Sequence, residues 1–216
     1  MLTHGLLARL KAQASQVFET EQFLDSALPQ VRQEPGTQCW FSFRMGRGEY
    51  GIFEAFVGEG SRIAHLEGPV ANSLMARAPN LLETRPDIDM VEIVASKLPA
   101  ALAPRAATCG LLLSFIAKEG NETKVEQILR DAQPKVLDEA GTLAWFALRW
   151  PATRRYGVFD VFLDHAARLK HITGHLPREL TKHALTLLGG MPHVDMLDVL
   201  ASHVAERETL VGLGVD

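Results

Sequence analysis

Two acid–histidine pairs stand at matching places in this chain. Glu54 is followed eleven residues later by His65, and Asp160 eleven residues later by His171. Each acid lies inside an aromatic stretch, YGIFEAF from Tyr50 and YGVFDVF from Tyr156. Read as strands, these put Tyr50, Ile52, Glu54 and Phe56 on one face, and Tyr156, Val158, Asp160 and Phe162 on the equivalent one. A carboxylate on an aromatic face needs a partner, because burying it unpaired is costly. The histidine on the following helix supplies one. The carboxylate would fix the imidazole tautomer, and the ring would serve as a general base that deprotonates a phenol. The competing reading is that each pair only anchors a helix to the sheet.

A second set lies on the preceding strand. Trp40 shares a face with Arg44, and Trp145 with Arg149. Together with Tyr50 and Tyr156 they form a candidate substrate-binding set, able to stack on and charge-pair an aromatic acid or enolate. The plainer alternative makes each Trp core and each Arg a cover for the sheet edge. His171 and His175 have the i, i+4 spacing of a helical metal site, but Gly174 interrupts them, and no metal is expected. No Gly-rich phosphate loop, G-x-S-x-G elbow or Cys-x-x-Cys occurs, and no cofactor is expected. Cys39 and Cys109 are expected to be free thiols.

These residues sit in a sequence that occurs twice. EPGTQCWFSFR from Glu34 returns as EAGTLAWFALR from Glu139. Gly5-Leu6-Leu7 returns as Gly110-Leu111-Leu112, and after one extra residue near Arg155, His65 returns as His171. The repeat is the size of a small domain. The expected organisation is a first domain at 1–98, a linker at 99–108, a second domain at 109–204 and a tail at 205–216. A fused homodimer would give this pattern. Within each copy a strand at 5–12 or 110–117 precedes an amphipathic helix. Pro29 and Pro134 are expected to kink those helices, and Gly36 and Gly141 to end them. A hairpin, a broken helical stretch (60–82 or 166–188) and a closing strand (87–95 or 193–201) follow.

The order β-α-β-β-α-β in each copy is that of a ferredoxin-like split βαβ unit. The fold class expected is α+β: two tandem ferredoxin-like units whose bare sheet faces cover one another in an intrachain, pseudo-dimeric α+β barrel.

At 216 residues, 47% hydrophobic and 22% charged, the composition is that of an ordinary globular protein. A net charge of −4 offers no basic surface for nucleic acid. No apolar run approaches the ~20 residues of a membrane span, and no secretory signal is read at the start. A cytoplasmic location is the expectation.

The motifs Glu34-Pro35-Gly36, Tyr50-x-x-x-Glu54-x-Phe56 and His65, with their second set Glu139-Ala140-Gly141, Tyr156-x-x-x-Asp160-x-Phe162 and His171, resemble the antibiotic biosynthesis monooxygenase family. The resemblance covers nearly all of both copies. It implies a dimeric α/β-barrel fold. It further implies oxidation of an aromatic quinol- or polyketide-like molecule by molecular oxygen, with no metal or flavin. The haem-degrading branch is disfavoured, because neither copy carries Asn on its first strand. The alternative is a non-catalytic barrel that binds a small hydrophobic ligand or acts as a scaffold. Two such chains could pair further.

Overall fold

The computed structural model describes residues 1–206, apart from 104–105, 175–177, 179–181 and 183–184. The first half runs β1 (His4–Lys11), α1 (Val17–Ser26), α2 (Leu28–Val31), β2 (Thr37–Gly46), β3 (Glu49–Phe56), α3 (Glu59–Leu66), α4 (Pro69–Leu81) and β4 (Asp87–Lys97). The second runs β5 (Cys109–Ile116), α5 (Glu122–Leu137), β6 (Thr142–Arg149), β7 (Arg155–Phe162), α6 (His165–Ile172) and β8 (His193–Val204). The strands close into one antiparallel barrel in the order β1-β3-β2-β8-β5-β7-β6-β4. Closure is reciprocal: the last strand of each half pairs with the second strand of the other, β8 with β2 and β4 with β6. This is the α+β barrel of two ferredoxin-like units read from the repeat, and it leaves no open sheet edge.

Strand alternation decides what lies inside. Cys39, Phe41, Phe43 and Phe53 point into the barrel with Phe146, Phe159 and Trp150. The equivalent rings Phe53 and Phe159 stack at 4.4 Å between centroids, so the two halves meet through self-matching residues. The alternate residues point outward under the helices. Trp40, Tyr50 and Ile52 pack with Leu24, Val70 and Leu74, and Trp145, Tyr156 and Val158 with Val125 and Leu129. The interior is therefore a phenylalanine core, and the candidate strand residues lie on the outer face of the sheet, under the helices that carry His65 and His171.

The two prolines act differently, and the expected glycine caps need correction. Pro29 does break the first helical stretch, at Ala27, and takes an early position in α2, where its missing N–H is tolerated. Pro134 does not break α5, which runs on to Leu137. Neither Gly36 nor Gly141 ends its helix. The caps are Arg32 and Asp138, both in right-handed helical conformation. Gly141 is instead required by close approach: a Cβ there would lie 2.5 Å from Ala167 Cβ on α6.

Candidate functional site

Each histidine is held between two carboxylates, one more than the sequence suggested. His65 lies in α3 and His171 in α6, and both rings are buried. His65 Nε2 is 3.0 Å from Glu54 Oε1, and His171 Nε2 is 3.1 Å from Asp160 Oδ2. The other ring nitrogen, Nδ1, makes a 2.6 Å hydrogen bond to Glu34 Oε2 in the first half and to Glu139 Oε2 in the second. These glutamates are the first residues of the repeated E-x-G-T segments. Their threonines donate to the same oxygens, Thr37 to Glu34 at 3.1 Å and Thr142 to Glu139 at 2.6 Å.

The backbone is shaped around these triads. The short turn from the first helical stretch into β2, or β6, brings the glutamate over the helix that carries the histidine. At Gly68 a Cβ would lie 3.0 Å from Glu34 Oε1 and from Ala64 O, so a larger residue there would crowd the carboxylate. Buried Arg62, one turn before His65, donates to the carbonyls of Gly5 and Val91 at 3.4 and 3.3 Å. Arg168 makes the matching bonds to Gly110 and Leu197 at 3.2 and 3.3 Å. These arginines clamp α3 and α6 across the first and last strands of their halves. They were missed in the sequence, although Arg62 and Arg168 recur at the same spacing as the histidines.

The electrostatics follow from this geometry. Burial pushes the His65 proton affinity down, but the hydrogen bonds and charges of Glu54 and Glu34 outweigh it and raise the pKa to about 9. His171 is raised to about 9 in the same way by Asp160 and Glu139. Burial pushes the Asp160 carboxyl up, against the pull of His171. Both rings are thus imidazolium at neutral pH, with Nδ1 hydrogen-bonded to a glutamate and Nε2 at ion-pair distance from a second carboxylate. A protonated ring cannot accept a proton, so neither histidine is in the form that the expected general-base role requires.

The other candidates divide into two groups. Trp40 and Glu54 are directly opposite in the β2–β3 register, as Trp145 and Asp160 are in β6–β7, so each indole stands beside its triad. The indole Nε1 atoms of Trp40 and Trp145 are buried and have no hydrogen-bond partner. Arg44 and Tyr50 lie four residues further along their strands, roughly 13 Å away. There Tyr50 Oη donates to Glu21 Oε1 at 2.9 Å, and Arg44 reaches Glu21 at 3.1 Å and Asp198 of the second half at 3.0 Å. Burial, reinforced by Glu21, pushes the Tyr50 phenol up to about 12. Arg149 pairs in the same way with Glu92 of the first half and with Glu126, beside Tyr156, whose phenol is also raised, by burial first. These arginines tie the two halves together and do not reach the histidines.

A cavity of about 90 Å³ lies under α1, α3 and α4 in the first half. Its wall is mostly apolar, including Leu6, Ile52, Val70 and Leu74, and its polar groups include Trp40, Glu54 and His65. Met75 and Ile88, both partly exposed, stand in its lining. The Glu34 side of His65 faces a separate open cleft lined by Thr37, Ser61 and Gly68. The counterpart region of the second half includes residues 175–184, most of which lie outside the described residues. His175 is among them, so the His171/His175 metal pattern lies outside them too. Among the described residues no cluster of three or more metal-ligating side chains occurs, and no helix is long and apolar enough to cross a membrane.

No family model matches the sequence, and no curated protein matches it. Solved structures do match in fold. A candidate monooxygenase from Fusobacterium nucleatum superimposes with a TM-score of 0.84 at 13% identity, covering 95% of each chain. A second candidate monooxygenase, from Lactobacillus acidophilus, gives 0.79 at 11%, covering 94% of this chain and 97% of that one. A ferredoxin-fold protein from Listeria monocytogenes, described as related to antibiotic biosynthesis monooxygenases, gives 0.55 at 8%, covering 96% and 97%. The chain has an antibiotic biosynthesis monooxygenase-like fold. At these identities the likeness is one of fold alone.

Proposed function

We propose that this barrel is a monooxygenase-type enzyme that binds a small aromatic molecule, quinol- or polyketide-like, in the first-half cavity and oxidises it with molecular oxygen, without metal or flavin. The observation that carries the reading is the cavity itself: an apolar recess beside the sheet with an indole, a carboxylate and an imidazolium in its wall. Glu54 accepts the proton of the substrate hydroxyl. The His65 cation, 3.0 Å from that carboxylate, stabilises the anion that forms. The anion supplies the electrons to oxygen. One oxygen atom enters the product and the other leaves as water, so a quinol and O₂ give a hydroxyquinone and H₂O. The second half repeats the acid–histidine pair as Asp160 and His171 beside Trp145, but the reaction is assigned to the first-half cavity alone. The monooxygenase-like structural relatives and the aromatic-facing acids support this assignment.

A second reading draws on the duplication. Both halves keep the carboxylate–imidazolium–carboxylate arrangement with nearly the same distances, as a purely structural clamp between helix and sheet would. On this reading the barrel binds a small hydrophobic ligand without turning it over. Oxygen consumption with a panel of hydroquinones and anthrones, no cofactor added, separates the two. Uptake above that of Glu54→Gln supports the enzyme, and ligand binding without uptake supports the clamp.

A further inference from the structure

The first-half cavity presents an unanswered donor beside an acid. Trp40 is fully buried, its Nε1–H has no partner, and it stands directly opposite Glu54 on the neighbouring strand. Side chains so paired have Cβ atoms about 5 Å apart. A single hydroxyl between them can accept from the indole N–H and donate to the carboxylate. Next to this polar corner the wall is apolar, formed by Leu6, Ile52, Val70 and Leu74. The volume of about 90 Å³ is small. A cavity of about 150 Å³ holds one benzene, so one ring already requires a modest yielding of the wall. A second fused ring would have to displace α4.

We infer that the cavity selects single-ring phenols, with the hydroxyl oxygen between Trp40 Nε1 and Glu54, the ring against Ile52 and Leu74, and substituents directed toward Met75 and Ile88. This rests on the cavity proposed above as the reaction site, and narrows its substrate class from aromatic molecules in general to monocyclic ones. The alternative occupant of the polar corner is a water bridging indole and carboxylate, which would satisfy both groups with no ligand.

The test follows the three indole N–H resonances by NMR during titration with phenol, hydroquinone, 2-naphthol and anthrone. The expected result is saturable movement of the Trp40 signal with phenol and hydroquinone, at least tenfold weaker binding of the two larger molecules, and at least tenfold weaker phenol binding in Trp40→Phe. Because Trp40→Phe alters the core, Ala71→Leu serves beside it. Ala71 lines the cavity from α4 and is only partly buried, so the added side chain fills the space with the fold intact. It is expected to lose phenol binding at unchanged melting temperature. A Trp40 signal that ignores phenol overturns the inference in favour of a bridging water, as does phenol binding that survives Ala71→Leu. Tighter binding of anthrone than of phenol overturns it as well. Phenol and hydroquinone binding without oxygen uptake would leave this inference standing and remove the monooxygenase reading. Oxygen uptake with anthrone while phenol stays unbound would do the reverse.

Discussion

Raising the pH should remove both histidine clamps, and the structure sets the size of the effect. Each imidazole moves from an ordinary value of 6.5 to about 9 on folding. A group whose proton affinity is raised in the folded state stabilises the fold fully below its unfolded value, and that stability is lost as pH climbs through the folded value. The window therefore runs from about pH 6.5 to just above 9. At ~1.4 kcal/mol for each pH unit between the two values, protonation of each histidine contributes about 3 kcal/mol at pH 6. Urea denaturation at pH 6, 7.5, 9 and 10 measures it, as a falling midpoint at constant slope. His65→Gln leaves Glu34 and Glu54 facing one another without a cation. It should cost about 3–5 kcal/mol at pH 6 and far less at pH 10, where wild type has lost the same charge. His171→Gln should behave alike, and the double variant should show little pH dependence in this window. Wild-type stability that is level from pH 6 to 10 would show that the histidines are not held as cations in the fold. So would a double variant that keeps the full wild-type decline.

Other expectations follow from single contacts. Phe53→Ala opens the stacked pair at the centre of the barrel and should cost about 3–5 kcal/mol in chemical denaturation. Gly141→Val should destabilise more than Gly120→Val in thermal melts, although Gly120 has a positive φ, because a Cβ at Gly141 collides with α6 while Gly120 borders open space. Arg44→Ala should leave the midpoint of oxygen or ligand titrations unchanged and lower stability by about 1 kcal/mol, since its partners are Glu21 and Asp198 on a half-exposed surface.

The barrel could be read from the chain because duplication exposes the fold's requirements. The Phe-rich inner face and the Trp/Tyr/acid outer face alternate in both copies, and strand periodicity alone assigns them. The acid–histidine pairs were legible for the same reason. The second carboxylate was not, because Glu34 reaches His65 from a turn 31 residues earlier, where no periodicity points. The role of Arg44 was misleading: sharing a strand face with Trp40 suggested one site, but its partner Asp198 lies 154 residues away, on the strand that closes the barrel. Pro29 and Pro134 show the limit of local rules. They occupy equivalent positions in the repeat, yet one lies at the start of a new helix and the other is carried within α5.

Oxygen uptake by wild type, Glu54→Gln and Asp160→Asn, measured with hydroquinone and with no cofactor added, decides whether Glu54 is the base of an oxidation in the first-half cavity. Uptake in the wild type is expected to fall at least a hundredfold in Glu54→Gln, while the protein still folds and melts cooperatively. Undiminished uptake in Glu54→Gln, or no uptake by any of the three with a ligand demonstrably bound, would contradict that role.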